Sequence, residues 1–412
     1  MKIAFFSDCY LDLSGGIVTV IDAEKDALER EGHTVYVFSS AYPKTNSELE
    51  RLSKDHIFVV PSFRFIGRGL TPIARRSKII IRWLKKHFPE LKEFDCFYVH
   101  YEGSCSIAGI KLAKEYNIPS VQVMHGREDS GVMFTIPIGL RTIAATLLNF
   151  AHSRSLPHSV KIKRDDYLAT SFARAKMWTL MVNHANSADF VITPSRHFLD
   201  KLLHYGLARP ATALPHSLKS EYIEAKLRPK SLHRGEPLEI IWHSRVQKDK
   251  RIMPFLQAIA LVTGKYHLSV YGDGLDLTKA KKYARIKRLN VSFYGKTSLK
   301  TLFKGLKRAH LDVLVSYNYD TFGMSLLEAA ANATPILIVD PDLAEILPKG
   351  GYVLAKNPSP KAMATVIDEI ISSPDRIFEM SQTLIRDFKL TKITDKTNQL
   401  IKIIEEINKE DK

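Results

Sequence analysis

YDTFGMSLLEAAANATP, Tyr319 to Pro335, lies between two short apolar runs that read as strands, Asp312–Ser316 and Pro335–Val339. A polar turn opens it, a strongly helical run follows, and the next strand begins at once. Strand, helix and strand in that order predict a parallel sheet covered by helices. The same alternation continues outward. Leu238–His243, Tyr266–Tyr271 and Val291–Tyr294 read as further strands of this series. Before them stands KLRPKSLHRGEP (226–237), polar and broken by prolines and glycine, which reads as an interdomain connection.

A second series precedes that connection. Lys2–Ser7 reads as its first strand and Val18–Glu31 as the following helix, stopped by Gly32 and His33. Thr34–Ser39, Cys96–Tyr101, Ser120–His125 and Phe190–Pro194 supply more strands. The expected fold class is α/β, with two doubly wound Rossmann-like domains. The first covers residues 1–225, the linker 226–237 and the second domain 238–390; a lysine-rich helix over 391–412 packs back on the first. Two such domains imply a cleft between them, the usual place for a ligand.

Composition narrows the classes. A chain of 412 residues is too long for one ordinary core, and 45% hydrophobic with 25% charged residues is an ordinary globular balance. Cys9, Cys96 and Cys105 are odd in number and show no ligand spacing, which argues for a reducing cytosol and against a disulfide framework or zinc site. No apolar run reaches the roughly 20 residues of a membrane span. The start, MKIAFFSDCY, has none of the regions of a signal peptide. The net charge of +16 predicts attraction to a polyanion: nucleic acid, an anionic membrane or a phosphorylated substrate. Nucleic acid is set aside because no zinc-finger, RNA-recognition or homeodomain-like motif is present. A dinucleotide-dependent dehydrogenase fails because Gly15-Gly16 is not followed by the required third glycine.

Two stretches carry candidate chemistry. HSRVQKDK, His243 to Lys250, follows a predicted strand and opens a helix. That places Arg245 and Lys250 at the carboxyl end of a sheet, where phosphates bind in such folds. Arginine grips phosphate oxygens with a planar fork and lysine acts as a compact charge. The plainer alternative is a solvated basic turn. In Tyr319–Pro335, backbone N–H groups of Thr321 to Ser325, with Phe322, Gly323 and Met324 among them, would point outward at a helix start and suit an anion or sugar hydroxyl. Asp320 stands just before that helix, and Glu328 lies about one and a half turns into it. A helix cap is the alternative for Asp320, and a surface carboxylate for Glu328.

On these residues the sequence resembles the retaining, two-domain glycosyltransferases of family 4 (group 1), which have the GT-B fold. Arg245 and Lys250 fall in register with that family's G-R-x(4)-K-like segment, with Ser244 for the glycine. Asp320, Phe322, Gly323 and Glu328 are similar to its E-x-F-G-x(4)-E segment, with Asp for the first Glu. Gly15-Gly16 looks like its glycine-rich loop, and His125 in VMHGRE like its sugar-contacting histidine. ITPSRHF (192–198), YGDG (271–274) and FYGKTS (293–298) also match its landmarks, whereas LPHSLKSEY departs from them. The resemblance implies that Arg245 and Lys250 hold a donor diphosphate, that Asp320 and the backbone of Thr321, Phe322, Gly323 and Met324 contact the sugar, and that Glu328 binds the ribose. It implies catalytic roles for His125, Arg245, Lys250 and Asp320, donor contacts at Gly15 and Gly16, a nucleotide sugar as co-substrate, no further cofactor and no metal.

The excess positive charge has a candidate use. Thr71–Phe88 shows two faces at helical spacing: Ile73, Ile80, Ile81, Leu84 and Phe88 on one, and Arg75, Lys78, Arg82, Lys85 and Lys86 on the other. Such a helix can lie on an anionic membrane surface, or pack in a core with a solvated basic face. The N-terminal pattern is similar to the glycolipid-forming branch of the family, such as glucosyldiacylglycerol synthases. Residues 141–186 are basic with apolar flanks and read either as a membrane-touching element or as packed helices. The expectation is therefore a cytoplasmic hexosyltransferase, peripheral on the inner face of the cell membrane, taking a lipid or glycan acceptor and UDP-glucose or UDP-galactose as donor. A soluble family 4 transferase in polysaccharide or cell-wall glycan synthesis is the alternative. A non-catalytic glycan-binding partner protein is a further one, disfavoured because both residue pairs are present.

Overall fold

The apolar runs become the strands of two parallel sheets. The structure, a computed structural model, describes residues 1–11, 16–63, 74–219, 226–390 and 393–410. In the first sheet the strands are β1 (Lys2–Ser7), β2 (Thr34–Ser39), β3 (Ile57–Val59), β4 (Cys96–His100), β5 (Ser120–Val123), β6 (Phe190–Thr193) and β7 (Ala211–Ala213). Among the described residues their order is β3-β2-β1-β4-β5-β6-β7. The second sheet holds β8 (Leu238–His243), β9 (Tyr266–Tyr271), β10 (Val291–Gly295), β11 (Leu311–Leu314), β12 (Ile336–Ile338) and β13 (Tyr352–Leu354), ordered β10-β9-β8-β11-β12-β13. Strand order reverses between β1 and β4 and between β8 and β11. The carboxyl ends at those reversals are where open α/β sheets bind ligands.

Each sheet has its own core. Phe5, Phe6, Phe38 and Phe97 are fully buried in the first, and Phe6 and Phe38 stack with ring centroids 5.2 Å apart. Trp242, Phe255 and Ile240 fill the second. Burying side chains of this size stabilises by roughly 1.5–3 kcal/mol each. The chain divides into two compact units, Met1–His216 with Ile393–Lys412, and Ser217–Lys392. Residues 226–237, which read as the connection, run within the second unit. The helix Ile393–Glu410 belongs to the first: Leu400 and Ile404 join the cluster of Ile3, Phe5 and Val35, and Lys396 Nζ stands 2.6 Å from Glu24 Oε1.

Three strands lie beyond what the sequence pattern predicted: β3, β7 and β13. Each has three residues, too few to display a period of two. The helix expected at Thr71–Phe88 is observed over Ser77–His87; Thr71 to Ile73 lie outside the described residues. Its apolar stripe is buried, with Ile80 and Leu84 packed against Phe38 and Phe97 in one cluster. Arg75, Lys78, Arg82, Lys85 and Lys86 are exposed, and Lys85 pairs with Glu115. This helix presents charge to solvent, while its apolar face is committed to the core. Residues 141–186 contain two helices, Arg141–Ser153 and Phe172–Ala185. The second is buried along most of its length, and the first lies on it through Asn149, whose Nδ2 donates to Lys176 O at 2.8 Å.

Candidate active site

β8 ends at His243, and the chain leaves it through Ser244, Arg245 and Val246. That turn is fixed by the YGDG segment after β9. Ser244 N donates to Tyr271 O at 3.1 Å, and Val246 N to Asp273 O at 2.9 Å. Gly272 has φ +133°, and a Cβ there would come 1.8 Å from Ser244 O. No residue with a side chain fits between these backbones, so the YGDG segment sets the path on which Arg245 stands. The expected helix opening at this point is instead one 3₁₀ turn, Lys248–Lys250, and the helix Ile252–Ile259 starts only after Arg251, at φ +56°. The break turns Lys250 away from the helix and toward the segment after β11.

There the two quoted stretches meet, residue against residue. Lys250 Nζ lies 2.5 Å from Asp320 Oδ1, both side chains mostly buried, and 5.3 Å above the ring of Tyr319. Ser316 Oγ donates to the other oxygen of Asp320. Asp320 is therefore held from two sides, which is more than a helix cap requires. Arg245 donates from Nη1 to Gln247 Oε1 at 3.1 Å and from Nη2 to Asp249 Oδ2 at 3.4 Å. Burial opposes the charge of Arg245, but Tyr319, Asp249 and Asp320 outweigh it and raise the guanidinium pKa. Half of the Arg245 side chain remains exposed, so the cation can be reached from solvent.

Glu328 is buried, not a surface carboxylate. Its Oε2 stands 3.3 Å from His243 Nδ1, and His243 Nε2 stands 3.3 Å from Asp312 Oδ1 on β11. Burial works against charge on His243, but Asp312 and then Glu328 outweigh it and raise the pKa to about 10. An imidazolium between two carboxylates thus fixes Glu328, from its helix, against the carboxyl end of β8. Sequence reasoning missed His243 and Asp312. The signal was an aspartate inside the apolar strand LDVL, since a buried carboxylate requires a counter-charge.

The helix expected after Asp320 spans Met324–Ala330, and Gly323 at φ +76° precedes it. A Cβ on Gly323 would meet Leu314 Cδ2 at 2.9 Å. Thr321 is buried, and the ring of Phe322 belongs to a cluster with Leu218, Phe303 and Leu327. Phe322 therefore offers a ligand its backbone and not its ring.

The remaining sequence-derived residues lie in the first unit. Gly15 is outside the described residues; Gly16 is the first residue of the helix Gly16–Arg30. His125 follows β5 and is buried in a column of three histidines. Its Nε2 lies 2.8 Å from His100 Nδ1, and its ring stacks on that of His216 at 5.6 Å. Lys396 Nζ donates to His216 Nδ1 at 3.2 Å. Burial and then Lys396 lower the His125 pKa to about 3, so the ring is neutral. At the same sheet end, Asp8 accepts from the backbone N–H of Cys105 and Ser106 at 2.9 and 3.1 Å, and the Glu128 carboxyl is raised to about 7, chiefly by burial. Tyr101, at φ +78°, donates its hydroxyl to Glu128 Oε2 at 3.1 Å.

Comparison with known proteins agrees with this architecture. Residues 14–218 match the model of glycosyltransferase family 4, and residues 224–387 that of the group 1 glycosyl transferases. The α-monoglucosyldiacylglycerol synthase of Acholeplasma laidlawii is 24% identical over 359 residues, 85% of this chain and 83% of that protein. The protein of the same name from Streptococcus pneumoniae is 26% identical over 354 residues, 82% of this chain and 70% of that one. Among solved structures, Anabaena HepE in complex with UDP superposes with a TM-score of 0.67 over 98% of this chain and 100% of that one, at 13% identity. That likeness is one of fold.

Proposed function

The chain belongs to the family 4, group 1 glycosyltransferases of GT-B fold, and on that premise we propose that it moves a hexose from a nucleoside-diphosphate sugar to a membrane lipid acceptor with retention of anomeric configuration. Diacylglycerol or a glycolipid is the acceptor class. The two relatives named monoglucosyldiacylglycerol synthases support that choice, and UDP as donor nucleotide is supported by the HepE complex. UDP-glucose or UDP-galactose is the donor this reading selects.

The carrying observation is the cross-pairing of the two motifs, Lys250 with Asp320 and Glu328 with His243. Each acid of the second stretch is set by a base of the first. In the reaction the bond between the anomeric carbon and the diphosphate oxygen breaks, and the electron pair leaves with the diphosphate. Arg245 and Lys250 neutralise the charge that builds there, the largest contribution such a reaction needs. The acceptor oxygen bonds to the anomeric carbon on the same face, and its proton passes to the departing phosphate oxygen. Asp320 and the backbone from Thr321 to Met324 hold the sugar, and Glu328 takes the ribose hydroxyls. His125, neutral at physiological pH, contacts the transferred sugar as a hydrogen-bonding group and not as a cation. Catalysis is mostly positioning and leaving-group stabilisation, without a metal.

Attraction to an anionic membrane surface comes from the exposed basic face carrying Arg75, Lys78, Arg82, Lys85 and Lys86. No helix among the described residues is long and apolar enough to cross a membrane. A thermal-shift screen of nucleotide sugars tests the donor: a UDP-hexose raises the melting temperature of the wild type by mass action. The same compound leaves Lys250→Ala unshifted. An equal shift in both proteins refutes the donor site.

A further inference from the structure

The helix Arg141–Ser153 is amphipathic in the opposite sense to an ordinary surface helix. Ala145, Asn149 and His152 face inward, toward the buried helix Phe172–Ala185. Leu140, Ile143, Leu147 and Phe150, at spacings of three, four and three, face outward and are exposed by 52 to 62%. Ile138 beside them is 80% exposed. A contiguous apolar stripe presented to water marks an interaction surface.

The charge around the stripe says what it meets. From Ser130 to Arg164 the sequence has five Lys or Arg residues and no Asp or Glu. Arg154 lies over the Phe150 ring at 4.4 Å, and Arg164 over Phe172 at 5.3 Å, so cations stand on the faces of exposed aromatic rings. Lys161 and Lys163 in the same segment are exposed. Asp165 and the exposed Asp166 follow directly, yet cations outnumber acids around the stripe, and apolar residues in a mainly cationic surround match an anionic lipid bilayer: the side chains enter the acyl boundary and the cations meet the headgroups.

We propose that the stripe Leu140–Ile143–Leu147–Phe150 is the inserting face by which this protein docks on an anionic membrane, with the exposed helix Ser77–His87 supplying charge only. The proposal rests on the membrane-lipid acceptor reading and goes beyond it by naming the surface that enters the bilayer.

The test uses the full chain and vesicles of phosphatidylcholine with one third phosphatidylglycerol. Ile143→Gln/Leu147→Gln/Phe150→Gln changes only exposed side chains and retains the wild-type melting temperature. Its vesicle affinity falls about tenfold or more, while turnover on a water-soluble acceptor is unchanged. In an independent arm, an environment-sensitive fluorophore at Leu147→Cys, with the three native cysteines buried, shifts to the blue on vesicle addition. Wild-type vesicle affinity in the triple variant, or no spectral shift at position 147, overturns the proposal. A dimeric wild type made monomeric by the triple variant, with vesicle binding intact, overturns it too and makes the stripe a self-association face. Wild type that ignores vesicles but glycosylates soluble glycans sinks the lipid-acceptor reading itself. Vesicle binding that survives the triple variant in an enzyme confirmed on a lipid acceptor removes only the stripe.

Discussion

The carboxyl ends of the two sheets are built alike and carry opposite electrostatics. In the second unit, His243 closes β8 between Asp312 and Glu328 and is raised to about 10. In the first, His125 stands just beyond β5 against His100 and His216 and is lowered to about 3. Both rings are buried. Burial alone lowers a histidine, and only two carboxylates at 3.3 Å reverse the sign for His243. The architecture supplies a place at each strand end, and the neighbours decide the state of the ring there: charged between two carboxylates for His243, neutral between two histidines for His125.

The sharpest way to break this contrast is by turnover. Lys250→Ala lowers turnover by about 10²–10³-fold with the fold intact, the usual cost of losing a preorganised charge-stabilising group, and Glu328→Gln, which removes the ribose-binding charge but keeps the shape, lowers it by about tenfold or more. His125→Ala costs only about tenfold, as one neutral hydrogen-bonding contact. Steady-state kinetics that reverse this order would overturn the assignment of the ionic end to the donor.

Stability gives the next largest effect. His243→Ala leaves Asp312 and Glu328 buried without their cation, at a cost of about 3–5 kcal/mol in denaturant unfolding. A loss no greater than that of an ordinary surface substitution would mean the imidazolium does not hold the cluster.

The pH dependence separates the two histidines by sign. The folded pKa of His243 is raised from 6.5, so its contribution is full below 6.5 and is lost as pH rises through about 10. His125 is depressed from 6.5, so its contribution is full above 6.5 and is lost as pH falls through about 3. Unfolding free energy measured across pH is expected to lose alkaline slope in His243→Gln and acid slope in His125→Gln, each by about 1.4 kcal/mol per pH unit within its window. The same flattened limb in both variants would contradict the opposite signs.

The smallest effect concerns the two amphipathic helices of the first unit. Replacing Arg75, Lys78, Arg82 and Lys85 with Gln weakens vesicle association at low salt by only a few-fold, because the apolar face of Ser77–His87 is in the core and screened surface charge is all that is removed. Soluble-acceptor turnover stays constant. Vesicle co-sedimentation that drops further here than in the Ile143, Leu147 and Phe150 variant would exchange the roles of the two helices.

Much of this could be read from the chain itself. The long strands β1, β2, β8 and β9 were legible because four to six apolar residues between turn signals leave few alternatives. Arg245, Lys250, Asp320 and Glu328 were singled out by their places beside predicted strand and helix ends and by resemblance to the family's two motif segments, and the structure brings Lys250 to Asp320 and Glu328 to His243. The short strands β3, β7 and β13 were not, since three residues carry no period. The ring of Phe322 is absorbed by Leu218 and Phe303, a contact that local sequence cannot show.

The sequence by itself determined two parallel α/β sheets, the two motif stretches and the presence of two-faced helices, because periodicity and residue type are local properties of the chain. Tertiary structure alone decided which face each helix buries, that Lys250 finds Asp320 seventy positions away, and that His243 stands between Asp312 and Glu328. A helix pattern fixes that one face differs from the other. Which of them meets water depends on the neighbour against which it packs, and for Arg141–Ser153 that neighbour takes the side of Ala145, Asn149 and His152 and leaves the large apolar residues outward.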